Sequence, residues 1–271
     1  MLQKIGFFHF ANPDKSQPLA SLKAKLDERG KDYLKNSLVV LPEALNLKGE
    51  YTPRDGYDVE PSVSVKRCLT QLAKQFDMVY VVGLIDNDEP GRLSPPYSSA
   101  YLITSARCCC LSRKTGKDDL ADCPHGQRLY QPFPQEINMP SADGENSCIA
   151  GLLCMDALLQ PFPHIQSISN RTRHEALKAD MAKLSSALPI LGVPARMRSL
   201  RTIGIDGEWP EVHFALANAC PPGDSNTHPS VIRIKGQAPL MFPGDQFTPS
   251  AEHDALIVEP LDMSTHTPKP R

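Results

Sequence analysis

The chain lacks the features that mark several large protein classes. Charge of one sign is not in excess: 29 Lys and Arg stand against 31 Asp and Glu, a net charge of −2. That balance shows neither the basic footprint of a nucleic-acid binder nor the polybasic character that seeks an anionic membrane. Aromatics are scarce at 6%, with one tryptophan, Trp209. No run approaches the ~20 apolar residues of a spanning helix. The opening segment, MLQKIGFFHFANPDK, lacks the long apolar centre and small-residue cleavage site of an export signal. It reads as a first strand, and a cytoplasmic protein is expected. A disulfide framework is also missing. Eight cysteines are present, but three are consecutive, Cys108 to Cys110, and neighbours on a strand point to opposite faces. Reduced thiols are the expectation.

The composition is otherwise that of a chain able to bury a full core: 271 residues, 41% hydrophobic and 22% charged. The 26 prolines fall mostly after residue 130, which predicts many loops in the second half. Buried strands are read at 4–10, 36–43, 78–86, 98–105, 106–113, 147–154, 188–195, 211–219, 230–236 and 254–262. Residues 98–113 form an antiparallel pair in this reading. Amphipathic helices are read at 18–34, ending near Gly30, at 62–76 and at 171–188. Residues 114–146 show little periodicity and read as mostly loop. One domain over 1–262 is expected, with 263–271 a disordered polar tail. Helices intervene only in the leading part of each half, which points to a layered α/β fold whose halves are candidates for equivalence.

Three stretches place a reactive group at the end of a buried strand, where α/β folds open into a crevice. In LVVLPEALNLKGEY (38–51) Glu43 follows four apolar residues and a proline, which suits a general base or acid. In CLSRKTGKDD (110–119) Lys114 follows a strand and could stabilise a developing oxyanion. Lys117 is its rival. In CIAGLLCMDALLQPFP (148–163) Cys154 ends an apolar run. A thiol there is a strong nucleophile once a neighbouring base or cation helps it ionise. Each residue taken alone also fits a plainer role: a solvated loop glutamate, a turn lysine or a core cysteine.

Taken together, in the order Glu43, Lys114, Cys154, they resemble the motifs of the nitrilase, or carbon–nitrogen hydrolase, superfamily. LPEALNLKGEY is similar to that family's strand–Pro-Glu motif, SRKTG to its Arg-Lys motif and GLLCMD to its Gly-x-x-Cys-x-Asp nucleophile motif. VVGLID, LPILGVPA and HFALANA resemble further family strands.

The resemblance implies a four-layer αββα sandwich, commonly dimerised, so a homodimer or higher homo-oligomer is expected. It implies a Glu43-Lys114-Cys154 triad. In it Glu43 takes the thiol proton, and Lys114 with the backbone N–H of Met155 holds the oxyanion on the way to a thioester. It implies a small-molecule amide, carbamoyl or nitrile substrate and neither a metal nor an organic cofactor. Met155-Asp156 stands where true nitrilases more often carry Trp-Glu, so amide or N-carbamoyl hydrolysis is favoured. The sequence also departs from the pattern. The second glutamate common between lysine and cysteine has no clean counterpart, Glu136 being the nearest candidate and Glu145 a poorer one. His164 follows Phe162-Pro163 where the family often has glutamate, and 196–210 is short and charged. Two rival readings stand beside this one. The first is a metal site on Cys108, Cys109, Cys110, Cys123 and His125, which lack paired Cys-x-x-Cys spacing. The second is a weak or inactive protein of the same fold acting as a binding or regulatory partner.

Overall fold

The structure, a computed structural model, describes residues 2–11, 17–47, 59–86, 97–114, 135–140, 146–157, 175, 179, 187–196, 207, 209–219, 229–242 and 254–261. The first sheet is built from β1 (Lys4–His9), β2 (Ser37–Val40), β3 (Val79–Asp86), β4 (Tyr97–Ile103), β5 (Cys108–Arg113) and β12 (Ala255–Pro260), in the order β12-β1-β2-β3-β4-β5. The second contains β6 (Gln135–Pro140), β7 (Asn146–Gly151), β8 (Ala187–Ala195), β9 (His213–Asn218), β10 (Ser230–Arg233) and β11 (Leu240–Phe242), in the order β11-β10-β9-β8-β7-β6. Each sheet has three central parallel strands, β1-β2-β3 or β7-β8-β9, flanked by antiparallel ones. The halves are therefore equivalent in topology.

Strand alternation explains the layers. Ile5, Phe7, Leu38, Val40, Val79 and Val81 face one way and join Ile149, Ile190, Ala215 and Ile232 in a single core between the sheets. Phe8, Val39, Tyr80 and Val82 face the other way. They meet Leu22 and Leu26 of α1 (Pro18–Arg29) and Val65, Leu69 and Phe76 of α3 (Ser62–Phe76). On the second sheet Cys148, Ala150, Leu191, Val193, Phe214 and Leu216 form an outer core with Trp209. This is the α/β, αββα sandwich architecture that the motifs imply. Of the helix expected over 171–188, Glu175 and Ala179 are described and helical, residues 187 and 188 already belong to β8, and the rest lies outside the described residues. The polar tail lies outside them as well. Among the described residues no helix is long and apolar enough to cross a membrane.

Several expectations are corrected. The helix expected over 18–34 breaks at Gly30, whose φ of 81° stops α1, and resumes as the single turn α2 (Lys31–Leu34). Residues 114–146 are not simply loop, because β6 lies within them and pairs antiparallel with β7. β11 is also unanticipated, three residues long and on the opposite edge. Both are edge strands, where proline is tolerated and apolar alternation is weak, so the local pattern carries little signal. The strand expected over 147–154 ends at Gly151, and Cys154 instead opens a 3₁₀ turn, Cys154–Ala157.

Candidate active site

The carboxyl ends of the two sets of parallel strands meet. β1 runs into Phe10, which bridges in parallel to Ala219 beyond β9. Beyond β2, Leu41 and Pro42 lead to a turn that begins with Glu43. The Glu43 backbone N–H donates to the Ala195 carbonyl at the end of β8, 3.2 Å away. The Ala219 N–H donates to the same carbonyl at 3.1 Å.

Glu43 is held from all sides. Gly83 of β3 donates its N–H to the Pro42 carbonyl (3.3 Å) and accepts the Leu45 N–H (3.1 Å). A methyl group on Gly83 would lie 2.7 Å from the Glu43 Cα and 3.0 Å from Leu153 Cδ2. Glycine is required there because Glu43 and the segment leading to Cys154 both press on that strand. The Asn46 side chain ties the turn after Glu43 to the end of β3, donating to the Ile85 carbonyl (2.8 Å) and accepting the Ile85 N–H (2.9 Å).

The Glu43 carboxylate is buried, as are Lys114 and Cys154. Its Oε1 accepts from Lys114 Nζ at 2.9 Å and from Ser98 Oγ at 2.7 Å. Its Oε2 is buried and has no hydrogen-bond partner among the described residues. Lys114 directly follows β5, and its backbone N–H donates to the Ser98 carbonyl at 2.8 Å. Ser98 therefore fixes the lysine by its backbone and the glutamate by its side chain. Burial works against the Lys114 ammonium. The Glu43 carboxylate, with the neighbouring Cys154 and Asp156 side chains, outweighs it and holds the lysine above its ordinary pKa. Lys114 is thus a permanent cation close to both Cys154 and Asp156. A wholly buried ion pair is a poor stabilising device, since desolvation cancels most of its attraction. Its presence marks this place as one that needs a fixed charge.

Cys154 has φ of 46°, in the left-handed region, and Ala44 beside Glu43 is in it too, at 54°. Non-glycine residues sit there at a cost, held by their surroundings, and such positions gather at functional sites. The turn is closed by Asp156 N–H donating to the Leu153 carbonyl (2.8 Å), and the approach to it by Leu152 N–H donating to the Gly192 carbonyl (3.2 Å).

The fold thus gathers Glu43, Lys114 and Cys154 from three strand ends. Met155 is the second residue of the cysteine's turn. Glu136 lies on β6 with Cys148 as its register partner, and its side chain is outside the described residues. Lys117, Cys123, His125 and Glu145 are outside them altogether. Among the described residues no group of three or more His, Cys, Asp or Glu is arranged to hold a metal. Among the described residues Cys68, Cys108, Cys109 and Cys110 carry free thiols. Sequence reasoning missed Ser98 and Asn46. An amphipathic strand start and a turn asparagine are common, and neither announces a partner across the fold.

No family model matches the chain at the sequence level. No curated protein matches it either. Solved structures do match. The NitN amidase of Nesterenkonia sp. AN1 superposes with a TM-score of 0.59 at 16% identity, over 96% of this chain and 93% of that one. A double mutant of that amidase in complex with acrylamide gives 0.62 at 14%, over 97% and 92%. A mutant in complex with butyramide gives 0.58 at 15%, over 95% and 90%. That amidase is described as a member of the nitrilase superfamily. The chain accordingly has the nitrilase-superfamily fold.

Proposed function

We propose that this chain is a carbon–nitrogen hydrolase that cleaves a non-peptide amide or N-carbamoyl bond through a thioester on Cys154. The observation that carries the reading is the buried Glu43–Lys114 pair, 2.9 Å apart. It leaves Glu43 Oε2 without a donor, at the strand ends where Cys154 begins its turn. One carboxylate oxygen is committed to orientation and the other is available to a proton.

In this reading Glu43 Oε2 takes the Cys154 thiol proton, with Lys114 favouring the thiolate by its charge. The sulfur attacks the carbonyl carbon. The oxygen becomes an oxyanion held by Lys114 and the Met155 backbone N–H. Collapse breaks the C–N bond, and the leaving nitrogen takes the proton from Glu43 and departs as ammonia or an amine. Glu43 then accepts a proton from water, whose oxygen attacks the thioester. Cys154 regains its proton as the acid leaves. No step calls for a metal or an organic cofactor. The likeness to an amidase seen with acrylamide and butyramide supports small aliphatic amides as first substrates to try.

The test is twofold. Iodoacetamide should label Cys154 far faster than Cys68 or Cys148 at pH 7, read by peptide mass spectrometry. Ammonia release should be detected from at least one of acetamide, butyramide, acrylamide or an N-carbamoyl amino acid, and Cys154→Ala should abolish it with the fold intact. Slow or indiscriminate labelling together with activity surviving in Cys154→Ala would overturn the reading.

A further inference from the structure

Trp209 is the chain's one tryptophan, and the mechanism above does not use it. It is fully buried and packs in one cluster with Leu152, Cys154 and Ala157. Its indole N–H donates to the carbonyl of Ala157 at 2.9 Å, across 52 residues of chain. Ala157 is the last residue of the 3₁₀ turn that Cys154 opens. The carbonyls at the end of such a turn have no partner within it and need a donor from elsewhere. Trp209 supplies one. It is itself secured from the opposite side. The Arg233 guanidinium of β10 donates through Nη2 to the Trp209 carbonyl and through Nη1 to the Pro210 carbonyl, the latter at 3.3 Å. The Val212 N–H also donates to the Trp209 carbonyl, at 3.4 Å.

We infer that Trp209 is a positioning residue for the nucleophile. It rests on the reading that Cys154 is that nucleophile. The indole bond, backed by Arg233, anchors the far end of the turn whose first residue is in the left-handed conformation. A residue stays at such a φ only where its surroundings over-determine it. Released at Ala157, the turn can relax, carrying Cys154 Sγ away from the Glu43–Lys114 pair and so weakening the thiolate. Burial alone would call only for an apolar ring at 209, whereas the positioning role requires the N–H.

A single tryptophan allows a site-specific chemical test by global replacement. Full-length protein expressed with β-(3-benzothienyl)alanine in place of tryptophan keeps the bicyclic shape, with sulfur where the N–H was. The measurement is the pH dependence of Cys154 alkylation by iodoacetamide, compared with the unsubstituted protein. The expected result is a fall in rate at pH 7 of about three- to ten-fold, the worth of one neutral hydrogen bond, with the midpoint of the rate–pH profile moved upward. A superposable profile overturns the inference, even if the analogue protein melts at a lower temperature, because loss of packing alone does not move that profile. Should the analogue fail to fold, the unsubstituted protein still decides. Alkylation of Cys154 should shift or quench Trp209 emission, and an unchanged spectrum at full labelling overturns the coupling. Failure of the hydrolase reading looks different: Cys154 would then show no preferential labelling in the unsubstituted protein at all.

Discussion

Glu43 and Ala195 join the two sheets at the site: the Glu43 backbone N–H, just beyond β2, donates to the Ala195 carbonyl that ends β8, 3.2 Å away. The residue read as base is therefore tied to the sheet that carries the residue read as nucleophile. Small shifts of one sheet against the other would act directly on the distance between them.

The Glu43–Lys114 pair should behave as a unit. Lys114→Met leaves a buried carboxylate unpaired and should destabilise the protein by ~3–5 kcal/mol. Adding Glu43→Gln to it should restore part of that loss, although both variants lack turnover. Urea unfolding of the single and double variants measures the coupling, and strictly additive losses would contradict a tight pair.

Ser98 should matter more than its size suggests. Ser98→Ala removes a donor to a buried carboxylate oxygen at 2.7 Å, a bond worth ~1.5–3 kcal/mol to a charged group. Activity should fall while KM changes little, since the hydroxyl orients the base. Ser98→Thr, which keeps the hydroxyl, should recover part of the rate. Equal activity in the alanine and parent proteins would show that Oε1 is oriented by Lys114 alone.

Gly83→Ala should be damaging out of proportion to one methyl group. The new carbon would meet the Glu43 Cα at 2.7 Å and Pro194 Cβ at 3.0 Å, and backbone cannot step aside as a flexible side chain can. Overpacking of this kind costs ~1–3 kcal/mol. Activity should be lost beyond what a matching drop in melting temperature explains. Thermal unfolding and ammonia release on the same sample separate the two effects.

Acid should weaken the fold through two buried histidines. Burial pushes His9 down to about 4. Burial, helped by the cations of Lys235 and Arg233, pushes His213 down to about 4 as well. The unfolded chain titrates these rings near pH 6.5. Between pH 6.5 and 4 the unfolded state therefore binds protons that the folded state refuses. Stability is complete above that window and falls as pH drops through it, by ~3 kcal/mol per ring. His9 Nδ1 lies 3.0 Å from Ser230 Oγ, which already accepts the Asn218 N–H at 2.9 Å and is free to donate to the ring. His9→Asn retains an acceptor but cannot titrate, so its urea midpoint should vary less from pH 7 to pH 4. A slope identical to the parent's would rule out His9 as a contributor.

The central strands were legible because burial on both faces of a sheet demands short continuous apolar runs, which are a local property of the sequence. Lys4–His9, Val79–Asp86 and the helix Ser62–Phe76 lie where the pattern puts them. The edge strands β6 and β11 were not legible, because one side of an edge makes no ladder bonds and proline is no obstacle there. That Glu43 and Lys114 lie just past strands was legible from the strands before them, whereas the apolar run up to Cys154 hid the end of β7 at Gly151 and the turn that Cys154 opens.

The sequence by itself determined the buried central strands, the order of the three reactive residues and the likeness of their motifs to one superfamily. All of these are written in neighbouring residues. Only the tertiary structure decided that Ser98 reaches Glu43 across 55 residues and that Lys114 reaches Glu43 across 71. It also decided that one Glu43 carboxylate oxygen has no hydrogen-bond partner among the described residues, that Cys154 takes a left-handed φ, and that Trp209 holds the end of its turn. The physical reason is the same in each case. Hydrogen bonds between distant segments depend on sheet order and register, which pack the strand ends against one another. No local pattern of side chains encodes that arrangement.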